Sequence, residues 1–205
     1  MSLLVVLCRR FGRAQFAGLL LGFTPAAHAH RLDELLQRSF IAVEPARISI
    51  EITLTPGVGR ADEFVASLDP NHDGKISSSE GETFAATVGG QLALFIDGQR
   101  LALTVGDVSV PDLDAVRTGV GDLQIQFTAA LPDSPRGARA LRFSNNYLPA
   151  GSVYLATAFA PAGPNIRIGP LRRDEAQQSL AFDFTIQARP TPAPTRPPSS
   201  AALRP

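Results

Sequence analysis

The strongest constraint on the fold is a two-residue rhythm. Ile48, Ile50, Ile52 and Leu54 alternate with Ser49, Glu51 and Thr53, and just before them Leu35, Gln37, Ser39, Ile41 and Val43 share one face. Successive side chains of a strand point to opposite faces, so this pattern belongs to half-buried strands and not to helices. Glu44-Pro45-Ala46 reads as the turn between the two runs, and Pro56-Gly57 ends the second. Leu92, Leu94 and Ile96 lead into Asp97-Gly98, a hairpin dipeptide, and Leu101, Leu103 and Val105 are predicted to return beside them. Further strands are predicted around 122–130, 139–145, 152–160, 164–170 and 179–187. Short strands separated by Pro, Gly and Asp turns point to a mainly β fold, an antiparallel Greek-key (Ig-like) β-sandwich, with a barrel as the competing architecture.

The rhythm breaks once. The twelve residues from Asp69 to Glu80 read D-P-N-H-D-G-K-I-S-S-S-E, an order that matches an EF-hand calcium loop. Asp69, Asn71 and Asp73 place side-chain oxygens at positions 1, 3 and 5, and Gly74 occupies position 6, where the backbone turns sharply. Lys75 at position 7 offers its backbone carbonyl, Ser77 at position 9 acts directly or through a water, and Glu80 at position 12 can chelate with both oxygens. The flanks agree: Phe64, Val65 and Leu68 before the loop, and Phe84, Ala85 and Val88 after it, have helical spacing. The expectation is a helix-loop-helix inserted between strands at about 60–88, closed by Gly89-Gly90, with Ca²⁺ as its ligand. A metal-free Asx-rich turn would require all these positions to coincide by chance.

A second loop usually accompanies the first, and the stretch from Asp107 to Asp122 lacks the D-x-[DN]-x-[DN]-G order. Ile76, the apolar residue at position 8, is therefore expected either to meet another copy of the chain in a homodimer or to lie against its own domain. A lone loop lacks a partner's bracing, which places its affinity toward the weak, extracellular end, roughly 10⁻⁵ to 10⁻³ M.

The first thirty residues indicate a compartment. Arg9, Arg10 and Arg13 precede a short apolar run, Phe16 to Phe23, and Ala27-His28-Ala29 has the form of a cleavage site. The expectation is a signal peptide over 1–29, a domain over 30–187 in the periplasm or secreted, and a Pro-rich disordered tail over 188–205. The one Cys of the chain is Cys8, so the mature domain is held without disulfides. With 19 basic and 19 acidic residues in the whole chain, nothing favours a nucleic-acid partner.

Catalytic signatures are lacking: no G-x-S-x-G elbow, phosphate loop or H-E-x-x-H occurs, and Gly119-Val120-Gly121 lacks the third Gly of a dinucleotide fingerprint. Glu51, Asp97, Asp107 and Asp183 are strand-borne carboxylates of the kind that usually form a solvated face. His30, as a mature N-terminus, could chelate Cu²⁺ or Ni²⁺ through its amine and ring, which leaves a metal-dependent enzyme as an alternative. Asn145-Asn146-Tyr147 and Arg172-Arg173-Asp174-Glu175 read as turns and surface ion pairs, or as a recognition loop.

Taken together, HRLDELLQ, ITLTPGV, the calcium loop, FIDGQ, RTGVGDLQIQF, FSNNYLP…SVYL and RRDEAQQSLAFDF resemble a family of exported bacterial proteins described as EF-hand domain-containing. The resemblance spans about residues 30–187 and implies calcium at the six loop residues named above, with no catalytic residue. Some relatives carry this module ahead of a HupE/UreJ-like membrane domain associated with nickel handling. That implies an alternative role as an accessory module beside a membrane-protein partner in the envelope. This sequence departs from those longer relatives by stopping after the Pro-rich stretch. The reading from sequence is an exported, non-catalytic calcium-binding protein whose single EF-hand braces a β-sandwich interaction module.

Overall fold

The computed structural model describes residues 33–132, 137–159 and 165–187. The expected signal segment 1–29, His30 and the Pro-rich stretch 188–205 lie outside the described residues. In chain order the strands are β1 (Leu35–Val43), β2 (Arg47–Pro56), β3 (Leu92–Ile96), β4 (Gln99–Leu101), β5 (Thr104–Ser109) and β6 (Leu123–Ala130). They continue with β7 (Ala138–Asn145), β8 (Ser152–Ala158), β9 (Ile166–Ile168), β10 (Arg172–Arg173) and β11 (Ser179–Ile186). The helices are α1 (Ala61–Leu68), α2 (Ser78–Gly90) and α3 (Leu113–Arg117), with a 3-10 turn at Val58–Arg60.

The strands form two sheets. One runs β5-β6-β2-β1-β8, the other β10-β11-β7-β3-β4, with β9 also pairing β11. The inward residues align across neighbouring strands: Ile41 faces Ile50, which faces Phe127, and Ile52 faces Ile125. From the second sheet Leu94, Leu141, Phe143, Leu180, Phe182 and Phe184 join the same buried core. Each large apolar side chain so buried contributes about 1.5–3 kcal/mol, which is why the two-residue rhythm dictates which face turns inward. The protein is thus mainly β, built of two antiparallel-rich sheets in the manner of a sandwich.

The structure departs from the sequence expectations in four places. The return strand expected over Leu101 to Val105 is two strands in different sheets: β4 stops at Leu101, and β5 begins at Thr104 beside β6. Leu103, half-buried between them, packs on the core as the chain crosses. One pairing is parallel, not antiparallel: β8 lies along β1 with Leu35 opposite Ser152 and Ile41 opposite Ala158. The chain leaves β7 in the second sheet and enters β8 at the end where β1 also begins, so the two strands share a direction. Residues 113–117, within a stretch that offered no calcium order, form α3, whose N-terminus is capped by Asp112 accepting from the Asp114 N–H at 2.8 Å. Finally, α2 takes in Gly89 and Gly90 as its last two residues instead of stopping at Val88.

Side-chain ties finish the sheet ends. The Asp97-Gly98 turn forms the predicted β3-β4 hairpin, both residues having positive φ (53° and 84°). Asp97 accepts from the Ala140 N–H and the Arg139 guanidinium, each at 2.8 Å, and these bonds hold its carboxyl below the usual carboxylate range. At the exposed edge of β8, Arg173 of β10 donates to the Ala156 carbonyl at 2.6 Å and to the Thr157 hydroxyl at 3.1 Å. One sheet thereby covers the open edge of the other.

The two glycines that end α2 differ in purpose: a Cβ at Gly89 would lie 2.7 Å from the fully buried ring of Phe127, whereas at Gly90 it would meet nothing within 4 Å. The helix needs a bare backbone at 89 to approach the sheet and needs none at 90. Gly89→Ala should therefore destabilise the fold by about 1–3 kcal/mol through overpacking. Gly90→Ala should stabilise it by about 0.4–1 kcal/mol by restricting the unfolded chain. Urea unfolding of the two variants checks the opposite signs.

Candidate metal centre

Between β2 and β3 the chain leaves the sandwich as a helix-loop-helix. α1 buries Ala61, Phe64, Val65 and Leu68; α2 buries Gly81, Phe84, Ala85 and Val88. These are the helical faces predicted from their spacing, and Phe64 meets Phe84 edge-on at 5.6 Å between ring centroids. Ile76, half-buried, packs against the core of its own domain, the second of its two expected placements.

The loop is organised by its acidic and amide side chains. Asp69, the C-cap of α1, is only 4% exposed; its Oδ1 accepts from the Asp73 N–H at 3.1 Å and its Oδ2 from the Gly74 N–H at 2.9 Å. Asn71 Oδ1 accepts from the Asp73 N–H, and Asp73 Oδ1 from the Lys75 N–H, both at 2.9 Å. Gly74 has φ +77° with nothing near its missing Cβ, so the residue is chosen for backbone conformation and not for close packing. His72, at φ 59°, also sits in the left-handed region. The loop's end starts α2 as a capping box: Ser77 Oγ accepts from the Glu80 N–H, and Glu80 Oε2 accepts from the Ser77 N–H at 2.8 Å. Ser77 Oγ also donates to that carboxylate at 2.7 Å.

Among the described residues no three His, Cys, Asp or Glu side chains are gathered in metal-holding geometry. The donor set nevertheless fits a hard cation. Each oxygen of Asp69 carries one N–H bond and keeps a lone pair, Glu80 Oε1 accepts no hydrogen bond from the described residues, and every offered side-chain atom except the Asn71 amide nitrogen is an oxygen. Carboxylate, amide and hydroxyl oxygens with the Lys75 carbonyl suit Ca²⁺ better than a softer metal, which would call for imidazole or thiolate.

The helix pair is anchored to the sandwich through Asn145 and Tyr147, within a stretch expected from the sequence to be a turn or a recognition loop. Gln37 on β1 and Asn145 at the end of β7 are both fully buried, and Asn145 Nδ2 donates to Gln37 Oε1 at 2.9 Å, joining the two sheets. Gln37 Nε2 donates to the Tyr147 carbonyl at 2.7 Å, the Tyr154 hydroxyl donates to the same carbonyl at 2.7 Å, and the Tyr147 N–H donates to Asn145 Oδ1 at 3.0 Å. Tyr147 is thereby held with its ring edge-on to Phe84 of α2, 6.0 Å between centroids. On either side of that ring lie shallow grooves of about 160 and 270 Å³, the larger lined by Pro70 and Glu80 of the loop. A signal for this brace was present in the sequence: Gln37 stands among the inward residues of β1, where a polar side chain must find partners.

The strand carboxylates do not converge. Glu51 accepts from Gln126 at 2.9 Å in the first sheet; in the second, Asp97 holds Arg139 and Asp183 lies 3.6 Å from Arg172 of the neighbouring strand. The Arg172-Arg173-Asp174-Glu175 cluster supplies β10 and a turn in which Asp174 accepts from the Gln178 and Ser179 N–H groups. Comparison with family models, with curated proteins and with solved structures gives no match.

Removing Gln37 tests the brace. Gln37→Leu should cost about 1–3 kcal/mol by leaving the Asn145 amide buried without its partner, and should weaken the near-ultraviolet signal of Tyr147. The chain has two tyrosines, and burial pushes both Tyr147 and Tyr154 above the usual phenol range. The unfolded chain therefore loses its phenol protons first, so this contribution to stability is complete below pH about 10 and declines as pH rises through the raised native values. Phenolate absorbance should appear at lower pH in denaturant than in the native protein, and coincident curves would contradict the burial.

Proposed function

We propose that this is an exported, non-catalytic calcium-binding protein whose Asp69–Glu80 loop is a single EF-hand inserted between β2 and β3 of a Greek-key, Ig-like β-sandwich. The observation that carries the reading is the loop's backbone. Gly74 takes φ +77° and turns its N–H onto Asp69, while Asn71 and Asp73 bond the N–H groups two residues ahead. A loop curled this way around its own oxygens needs only modest rearrangement to surround a cation with six to eight of them. In this reading Asp69, Asn71, Asp73, Ser77 and Glu80 bind through side-chain oxygens and Lys75 through its carbonyl.

The ion's contribution is structural. Bound Ca²⁺ neutralises the carboxylates and ties the C-terminus of α1 to the N-terminus of α2. The angle between the two helices is thereby set against Phe84 and Tyr147. The resemblance to exported EF-hand-containing bacterial proteins belongs to the same proposal, as does periplasmic or secreted placement; among the described residues no helix is long and apolar enough to cross a membrane. Repeated crossing of the chain between the two sheets supports the Greek-key description.

Calcium titration by calorimetry, with melting followed in parallel, tests the proposal. At free Ca²⁺ ten times the dissociation constant, linkage predicts about 1.4 kcal/mol of stabilisation. Glu80→Gln should abolish that gain while keeping the α2 cap, because Gln serves as well as Glu in a capping box. No heat and no rise in melting temperature with Ca²⁺ would end the proposal.

A further inference from the structure

A second site lies on the outer face of the β10-β11-β7-β3-β4 sheet, away from the loop. The strand registers place Phe95, Arg142, Ala181 and Arg172 in one cross-strand row, so two guanidinium groups stand beside an aromatic ring and a small floor. Arg100, opposite Phe95, instead donates to the Leu92 carbonyl at 3.4 Å and lines a different groove. The neighbouring row adds the hydroxyls of Ser144 and Ser179. Together these surfaces form an open groove of about 620 Å³, within the range that holds a small organic ligand.

Charge in the groove is unbalanced. Arg142 is exposed, and its side chain makes no ion pair or hydrogen bond among the described residues. Arg172 has only the 3.6 Å approach of Asp183. The other charges are already engaged, Arg173 on the β8 edge and Asp174 in the turn before β11. Arg142 and Arg172 stand two strands apart, so their backbones are separated by roughly 10 Å and both arms can reach one group above Ala181. The planar guanidinium matches a carboxylate with two parallel bonds, and Phe95, one strand beyond Arg142, offers a flat apolar surface on the other side.

We propose that this groove binds a small organic carboxylate with an aromatic or aliphatic body, the carboxylate clamped between Arg142 and Arg172 and the body lying on Phe95. β11, β7 and β3, which form the floor, are each paired on both sides, so an extended peptide finds no free ladder there and recognition rests on side chains. The site is independent of the calcium loop.

The full chain, with and without Ca²⁺, is titrated with naphthoate, benzoate and hexanoate, with naphthylmethanol as the uncharged control. Saturable binding of a carboxylate is expected, weakened about tenfold or more by Arg142→Gln or Arg172→Gln and weakened also by Arg142→Lys, which keeps the charge but loses the fork. Phe95→Ala should weaken naphthoate more than hexanoate. Both arginines are exposed, so intact melting curves of the variants separate lost binding from lost fold. Three outcomes overturn the proposal: no saturable binding of any of the three acids, equal binding of naphthylmethanol, or affinity unchanged in both glutamine variants. Equal competition by anionic vesicles or single-stranded DNA also overturns it, by showing a general basic face.

Discussion

The amide bridge between Gln37 and Asn145 is the contact on which the rest of this structure depends. It is fully buried and joins a strand of each sheet. Its further bonds go to the backbone of Tyr147 and, from Gln37 Nε2, to the Ser152 hydroxyl at 2.9 Å. A buried polar pair is costly if any member is left without a partner, and here the Tyr147 carbonyl takes a bond from both Gln37 and Tyr154. Satisfied in this way, the cluster admits one relative placement of the two sheets where apolar contacts alone would tolerate sliding. It also decides where the helix pair sits, because the fixed ring of Tyr147 is what Phe84 packs against.

From that brace outward the two faces of the molecule have different chemistry. At the helix end, the loop gathers the carboxylates of Asp69, Asp73 and Glu80 on the backbone N–H groups of neighbouring loop residues. On the outer face of the second sheet the excess charge is positive, supplied by arginines with few acidic neighbours. A chain with equal numbers of basic and acidic residues therefore separates them by position. Net charge carries no information about such a separation, which is why composition favoured no nucleic-acid partner and said nothing about local charge.

Much of the architecture was legible because it follows local rules. The inward set of β1, β2, β3, β6 and β11 could be read from alternation, the Asp97-Gly98 hairpin from its dipeptide, and α1 and α2 from apolar residues at helical spacing. What escaped reading depends on partners distant in sequence. The crossing between β4 and β5 leaves the alternation nearly undisturbed, so Leu101, Leu103 and Val105 looked like one strand. The tie from Arg173 to the edge of β8 joins groups that share no local pattern. Gly89 marks the helix end as expected, but its packing role, room for the Phe127 ring, was hidden because that ring lies on a strand some forty residues onward.

By itself the sequence determined most of the strands, their inward faces and the order of oxygen donors from Asp69 to Glu80, because each of these is set by neighbours within a few positions along the chain. Only the tertiary structure decided which sheet each strand joins, that β8 runs parallel to β1, and that Asn145 and Tyr147, at the bend after β7, form a buried brace while Asn146 stays exposed. It also decided that Arg142 and Arg172, thirty residues apart, stand two strands apart around Ala181. The physical reason is the same in each case. Backbone conformation and burial respond to local spacing, whereas buried hydrogen bonds and clustered charge require groups that only the folded chain brings together.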